Sequence, residues 1–184
     1  MHDEIIFSGF GVQGALFAGQ LLAYAALDAD KHVTWIPSYG PEMRGGTAHC
    51  TVVVSDDPIG SPLVRRPTTV VALNQPSFEK YEPLIRPGGL LVYNSSLIER
   101  QPNRSDMRYV GVPANEIAYE LGNVRQANVV LLGAYLAASG CLPLEAVATA
   151  LDNHLPERQR RFLASNKEAL RRGAAEARGD GVTG

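Results

Sequence analysis

The chain has 184 residues, which suits one compact domain with a core of its own better than two domains. Its hydrophobic fraction of 45% and charged fraction of 20% are ordinary for a globular protein, and a formal net charge of -2 argues against a nucleic-acid-binding surface. No apolar run approaches the roughly 20 residues of a membrane span, and the acidic start at Asp3 and Glu4 is unlike a signal peptide, so we expect a cytoplasmic protein without a membrane partner.

Apolar runs and helical spacing predict the secondary structure along the chain. Strands are expected at 4–8, 32–37, 48–55, 69–73, 90–93 and 109–112, and helices at 14–28, 76–84, 113–121, 125–139, 143–153 and 157–177. Strands that alternate with helices predict an α/β fold. We therefore expect a single Rossmann-like domain at 1–178, with a largely parallel sheet flanked by helices and a helical C-terminal region. The tail at 179–184 has nothing to bury and should be loosely held.

The first turn of the chain is rich in glycine. Gly9, Gly11 and Gly14 match the pattern G-x-G-x-x-G between the first strand and the first helix, and Gln13 lies in the same turn. Such a turn can bring backbone N–H groups close to a phosphate, or it can merely let the helix pack against the sheet; both interpretations stay open. The second strand ends at Ser38 without the acid that would bind the ribose of NAD, so NAD is disfavoured.

A second loop of special residues follows the second strand. Because ligands of doubly wound sheets bind beyond the carboxyl ends of strands, we expect this loop beside Gly9–Gly14. Arg44 could bind a phosphate or carboxylate bidentately, or it could pair with Glu42 or with an acid of another subunit. The candidate ligand-binding or subunit-facing residues of the loop are Ser38, Tyr39, Gly40, Glu42, Met43, Arg44, Gly45, Gly46 and Thr47.

Polar residues also follow later strands. Asn74 and Gln75 come after the fourth strand and Asn94 after the fifth, so they are expected at the same edge as the glycine turn, either as ligand contacts or as helix caps. Asn123 is better explained as a cap, and the basic run at 156–161 as a solvated or subunit-facing surface. Cysteines are too few for an iron–sulfur cluster or a structural zinc, so no metal site is expected.

Several segments resemble, in the same order, the γ subunit of the 2-oxoacid:ferredoxin oxidoreductases. They are FSGFGVQGALFAGQLLA, PSYGPEMRGGTAHCTVVVSD, IGSPLV, ALNQPSFEKY, GGLLVYNSSLI and ELGNVRQANVVLLGAYL. The resemblance covers about residues 3–170 and leans toward the 2-oxoglutarate branch. One departure is Val12, where the family often has another glycine.

The resemblance implies a role in a larger enzyme. Members of this family decarboxylate a 2-oxoacid oxidatively with coenzyme A, giving an acyl-CoA, carbon dioxide and reduced ferredoxin. Thiamine diphosphate, Mg and [4Fe-4S] clusters would lie on the α, β and δ subunits, so this chain alone should bind none of these cofactors, hold no catalytic residue and be inactive. Its implied role is to complete the assembly, with a homodimer among the expected contacts, and to form the coenzyme A side of the active site. The alternative is a non-catalytic nucleotide-binding or scaffold module.

Overall fold

The computed structural model describes residues 1–38 and 47–179, and six strands within these ranges form one sheet. Within them the strands begin and end close to the predicted positions. They are β1 (His2–Phe10), β2 (His32–Ser38), β3 (Thr47–Ser55), β4 (Thr69–Ala72), β5 (Leu90–Asn94) and β6 (Arg108–Val112). In the sheet they lie in the order β2-β3-β1-β4-β5-β6.

The directions of the strands explain which ends share an edge. β1, β4, β5 and β6 run parallel to one another, whereas β3 is antiparallel to both of its neighbours, β1 and β2. The short connection from Ser38 to Thr47 favours this arrangement, because a parallel neighbour needs a crossover of a dozen or more residues. The predicted α/β fold with a largely parallel sheet is therefore confirmed, with β3 as the antiparallel exception.

Helices cover the two faces of the sheet unequally. The helices are α1 (Ala15–Asp28), α2 (Gln75–Tyr81), α3 (Ala114–Glu120), α4 (Ala127–Ser139), α5 (Leu144–His154) and α6 (Leu163–Ala177). One face of the sheet packs against α1, α4 and α6, with α3 and α5 packed on these helices in the same core, and the other face packs against α2 over β4 and β5. The predicted helix at 157–177 is shorter than expected, because Glu157–Phe162 forms a 3₁₀ helix before α6 begins. None of the helices in the described ranges is long and apolar enough to cross a membrane.

The interior is built around helix α4. Nearly every residue of α4 from Asn128 to Leu136 is buried, because the sheet lies on one side and α6 on the other. Where α4 and α6 cross, Gly133 packs against the Leu170 backbone and Gly173 against the Val130 carbonyl oxygen. Two helices can approach this closely only where side chains are missing, so these glycines determine the distance between α4 and α6.

Candidate ligand site at the carboxyl edge of the sheet

The glycine turn after β1 is packed tightly at both ends and open in the middle. Gly14 has a φ of 77°, and a Cβ atom there would overlap with the amide of Asn128. A Cβ atom at Gly9 would lie 2.8 Å from Leu73 Cβ, whereas one at Gly11 would meet no described atom within 4 Å. Val12, at the tip, is 94% exposed. Packing thus accounts for Gly9 and Gly14, and the open tip leaves room for a ligand at Gly11.

Gln13 fastens this turn to the end of β4. Its Oε1 accepts hydrogen bonds from the Phe10 backbone N–H at 2.7 Å and from Asn74 Nδ2 at 3.2 Å, and its Nε2 donates to the Leu73 carbonyl oxygen at 3.3 Å. Asn74 is buried, and its Oδ1 accepts the Ser77 N–H at 2.9 Å, which caps α2. The structure therefore brings Gln13 and Asn74 together, as expected. Their hydrogen bonds fix the glycine turn relative to the end of β4 and the start of α2.

Asn94 has a similar role at the end of the neighbouring strand. Its Oδ1 accepts the backbone N–H groups of Ser96 and Ala114, both at 3.2 Å, and its Nδ2 donates to Asn115 Oδ1 at 2.9 Å. Asn94 thereby ends β5 and caps α3 from a distant position in the chain. Gln75 lies apart from this group, since its Oε1 accepts the N–H of Glu99.

A cavity of about 270 Å³ opens between the glycine turn, the end of β5 and the start of α4. Arg125 is its one charged lining residue, is exposed, and lies within 4.0 Å of no carboxylate in the part of the chain that the structure describes. We call it the sheet-edge cavity; it is lined by Val12, Gln13, Leu73, Asn94, Asn115, Val124, Arg125 and Ala127. Among the described lining residues, uncharged amide side chains and the Arg125 guanidinium suit a ligand that carries both amide groups and phosphates.

The second predicted loop is described only at its ends. Thr47 pairs with Phe10 and Ser38 pairs with His49, so both ends of the connection lie at the same edge as the glycine turn. The predicted position of the loop itself beside Gly9–Gly14 stays a prediction. The other candidates of this loop lie outside the described residues, and their roles stay predictions: Tyr39, Gly40, Glu42, Met43, Arg44, Gly45 and Gly46.

Comparison with known proteins identifies the family. The model of the pyruvate ferredoxin/flavodoxin oxidoreductase family matches residues 4–176. The chain belongs to this family. The 2-oxoglutarate synthase subunit KorC of Methanocaldococcus jannaschii is 35% identical over 173 residues, which cover 91% of the chain and 92% of KorC. The resemblance found in the sequence motifs is therefore confirmed.

Two further relatives match the chain within proteins of different length. The ketoisovalerate oxidoreductase subunit VorA of Methanothermobacter marburgensis is 39% identical over 163 residues, but the chain spans only 32% of its length. The γ subunit of a keto/oxoacid ferredoxin oxidoreductase from Geobacter sulfurreducens has a solved structure with a TM-score of 0.83 and 31% identity, covering 96% of this chain and 99% of that subunit. The chain thus has the size and fold of a γ-type subunit.

The two cysteines of this family member are both free and buried. Burial raises the pKa of Cys50 to about 12 and that of Cys141 to about 11. No group of three or more His, Cys, Asp or Glu side chains within residues 1–38 and 47–179 could hold a metal ion. Neither thiol is therefore suited to nucleophilic or redox chemistry in the folded state.

We expect both thiols to resist a thiol–disulfide reagent at pH 8 in the folded protein. With a pKa of about 12, the fraction of Cys50 present as the reactive thiolate is on the order of 10⁻⁴ at that pH. Absorbance after reagent addition should show almost no labelling over an hour, while the same protein in denaturant should label at two sites within minutes. Raising the pH toward 11 should speed labelling of the folded chain. Rapid labelling of native protein at pH 8 would contradict this account.

Proposed function

We propose that the chain is the γ subunit of a cytoplasmic 2-oxoacid:ferredoxin oxidoreductase. Its partners would be α, β and δ subunits, which hold thiamine diphosphate, Mg and [4Fe-4S] clusters and pass electrons to ferredoxin. The reaction is the oxidative decarboxylation of a 2-oxoacid with coenzyme A, giving an acyl-CoA, carbon dioxide and reduced ferredoxin. The near full-length match to KorC favours 2-oxoglutarate as the substrate, and matches to subunits of ketoisovalerate and pyruvate enzymes make 2-ketoisovalerate and pyruvate the competing ones.

The sheet-edge cavity is the observation that supports a role for this chain in coenzyme A binding. The pantetheine arm of coenzyme A contains two amide groups, and the amide side chain of Asn115, which lines the cavity, can bond to one of them. Arg125 can pair with one of its phosphates, and the open tip at Gly11 lets a second phosphate approach backbone N–H groups. The chain would therefore bind and orient the acyl acceptor, while the reacting centre is supplied by other subunits.

The assembled enzyme tests this role through Arg125. We expect Arg125→Gln to raise the KM for coenzyme A by about tenfold, because one charge-assisted contact is lost, and to leave the KM for the 2-oxoacid unchanged. The measurement is the initial rate of acceptor reduction by the co-expressed complex, with 2-oxoglutarate, pyruvate and 2-ketoisovalerate compared as substrates.

Arg171→Gln is the matched control, because Arg171 is exposed on α6 and pairs with Glu168 at 3.7 Å, away from the cavity. An unchanged KM for coenzyme A in both variants would remove Arg125 from the site. A complex that is fully active without this chain would overturn the proposed function itself. Sedimentation of the isolated chain checks the homodimer, which stays a prediction.

A further inference from the structure

A second cavity, of about 300 Å³, lies at the edge of the sheet opposite to the candidate ligand site. The four parallel strands β1, β4, β5 and β6 all begin at this edge, and the cavity reaches the end of α4. Its volume is at the lower limit of small-molecule sites, so it suits a small ligand. We call it the amino-edge cavity; its lining includes Asp3, Thr68, Thr69, Pro87, Leu90 and Arg108.

Asp3 contributes a carboxylate that has hydrogen-bond donors but no cation. Its Oδ1 accepts the hydroxyl groups of Thr68 and of Thr69, the latter at 3.1 Å, and its Oδ2 accepts the Tyr135 hydroxyl at 2.7 Å. No ammonium, guanidinium or imidazole group of the described residues lies within 4.0 Å of this carboxylate. Because a carboxylate can accept about four hydrogen bonds, the three neutral hydroxyls leave room for one charged donor.

Arg108 lines the same cavity with a guanidinium that has no carboxylate partner. One terminal nitrogen donates to the Ala138 carbonyl oxygen at 2.6 Å, which holds the side chain against the end of α4. Within residues 1–38 and 47–179, no carboxylate lies within 4.0 Å of this guanidinium. A guanidinium has five N–H donors, so Arg108 retains donors in the planar geometry that a carboxylate matches.

The other charged groups that line the cavity are paired within the described ranges. Arg86 and His2 both pair with Glu4, the latter at 3.2 Å. The Met1 ammonium group pairs with Asp56 at 2.7 Å. The carboxylate and the guanidinium described above are therefore the two charges of this cavity that remain for a ligand.

The sheet keeps these two charges apart. Asp3 belongs to β1 and Arg108 to β6, and with β4 and β5 between them their backbones lie roughly 14 Å apart, which is three strand spacings. A ligand that carries both an ammonium group and a carboxylate can therefore contact both side chains from within the cavity. Pro87 and Leu90 add apolar surface, which favours a short aliphatic group on the same ligand.

We propose that the amino-edge cavity binds a free α-amino acid with a small apolar side chain, such as valine. The ammonium group would donate to Asp3 Oδ2, the carboxylate would accept from Arg108, and the side chain would contact Pro87 and Leu90. A 2-oxoacid has the same carboxylate but no ammonium group, so it would leave Asp3 without a cation. The cavity is separate from the sheet-edge cavity, and this inference does not rest on the proposed function.

Calorimetric titration of the full chain with L-valine, 2-ketoisovalerate and isobutylamine tests the proposal. These probes share a branched aliphatic group, but the first carries both charges, the second only the carboxylate and the third only the ammonium group. We expect saturable binding of L-valine with a Kd below about 1 mM, and binding at least about tenfold weaker for the other two, because each lacks one ion pair.

Variants assign the two charges to their residues. Arg108→Gln should lower the affinity for L-valine about tenfold, to the level of isobutylamine, whereas Arg171→Gln should bind like the wild type. Asp3→Asn should abolish the preference for L-valine over 2-ketoisovalerate. Because Asp3 also bonds to three hydroxyl groups, circular dichroism checks that this variant is folded; if it is not, the comparison of the probes on the wild type decides.

Three results would overturn the inference. The first is no saturable binding of L-valine or of L-alanine to the wild type, and the second is equal affinity for L-valine in the wild type and in Arg108→Gln. The third is equal affinity for L-valine and 2-ketoisovalerate, which would make the cavity a general anion site. None of these results depends on the coenzyme A kinetics of the assembled enzyme, so the proposed function stands or fails separately.

Discussion

Replacing Gly173 with alanine is expected to lower the free energy of unfolding by about 3 kcal/mol or more. The added Cβ atom would overlap with the carbonyl oxygen of Val130, a backbone atom in the buried helix α4 that has nowhere to move. The two helices would have to separate, which opens gaps along the whole contact between α4 and α6. For a chain of this length the melting temperature should fall by about 6–12 °C. Urea denaturation followed by circular dichroism measures the change.

Gly60→Ala is the control for this substitution. A Cβ atom at Gly60 would meet no described atom within 4 Å, so the same chemical change should alter the free energy of unfolding by no more than about half a kcal/mol. Gly133→Ala should resemble Gly173→Ala, because its Cβ atom would overlap with the Leu170 carbonyl oxygen. If Gly173→Ala unfolds at the same urea concentration as the wild type, α4 and α6 do not cross as closely as described.

Replacing Asn94 with alanine is expected to cost about 2–4 kcal/mol of stability. The change removes the acceptor of two backbone N–H groups, those of Ser96 and Ala114, and the donor to Asn115, and Asn94 itself is only 1% exposed. Asn94 would thus stabilise the fold. It would affect ligand binding only indirectly, by keeping the residues at this edge of the sheet in position. Guanidinium denaturation of the purified chain provides the measurement.

Asn115→Ala separates the two kinds of contact that Asn94 makes. It removes only the side-chain bond at 2.9 Å and leaves both backbone N–H groups satisfied, so we expect a loss of about 1 kcal/mol. A difference between the two variants then reports the backbone bonds of Asn94. Equal effects would mean that these backbone bonds contribute little, and Asn94 would again be a candidate for direct ligand contact.

Local patterns predict the elements of this fold well, because continuous apolar runs and apolar residues at helical spacing are visible in the sequence. Predicting the direction of β3 also requires the length of the connection that precedes it. The connection after Ser38 is too short for a crossover helix, so its length favours an antiparallel neighbour. The conformation of 157–162 could not be read in the same way, because basic residues in a polar run are equally compatible with an α-helix and a 3₁₀ helix.

The sequence predicts which edge of the sheet holds the candidate site, but not which hydrogen bonds form there. Asn74 and Asn94 are expected at the edge beside the glycine turn, and they lie there. Their partners could not be foreseen, since the bond between Gln13 and Asn74 joins residues 61 positions apart and depends on the order of the strands. The same holds for Gly133 and Gly173, which become important only because α4 and α6 cross at those positions.

The amide network at the sheet edge also determines how the chain would meet a ligand. Gln13, Asn74 and Asn94 are already held in single orientations by bonds within the protein. Fixing a mobile side chain at an interface costs roughly 0.5–1.5 kcal/mol of conformational entropy. Because these three side chains are already fixed in the folded chain, ligand binding would not incur that cost again. The floor is thus a rigid template, and the conformational entropy lost on binding falls mainly on exposed residues such as Arg125. Selectivity among related ligands would accordingly evolve by changes at the exposed rim, while the floor stays the same.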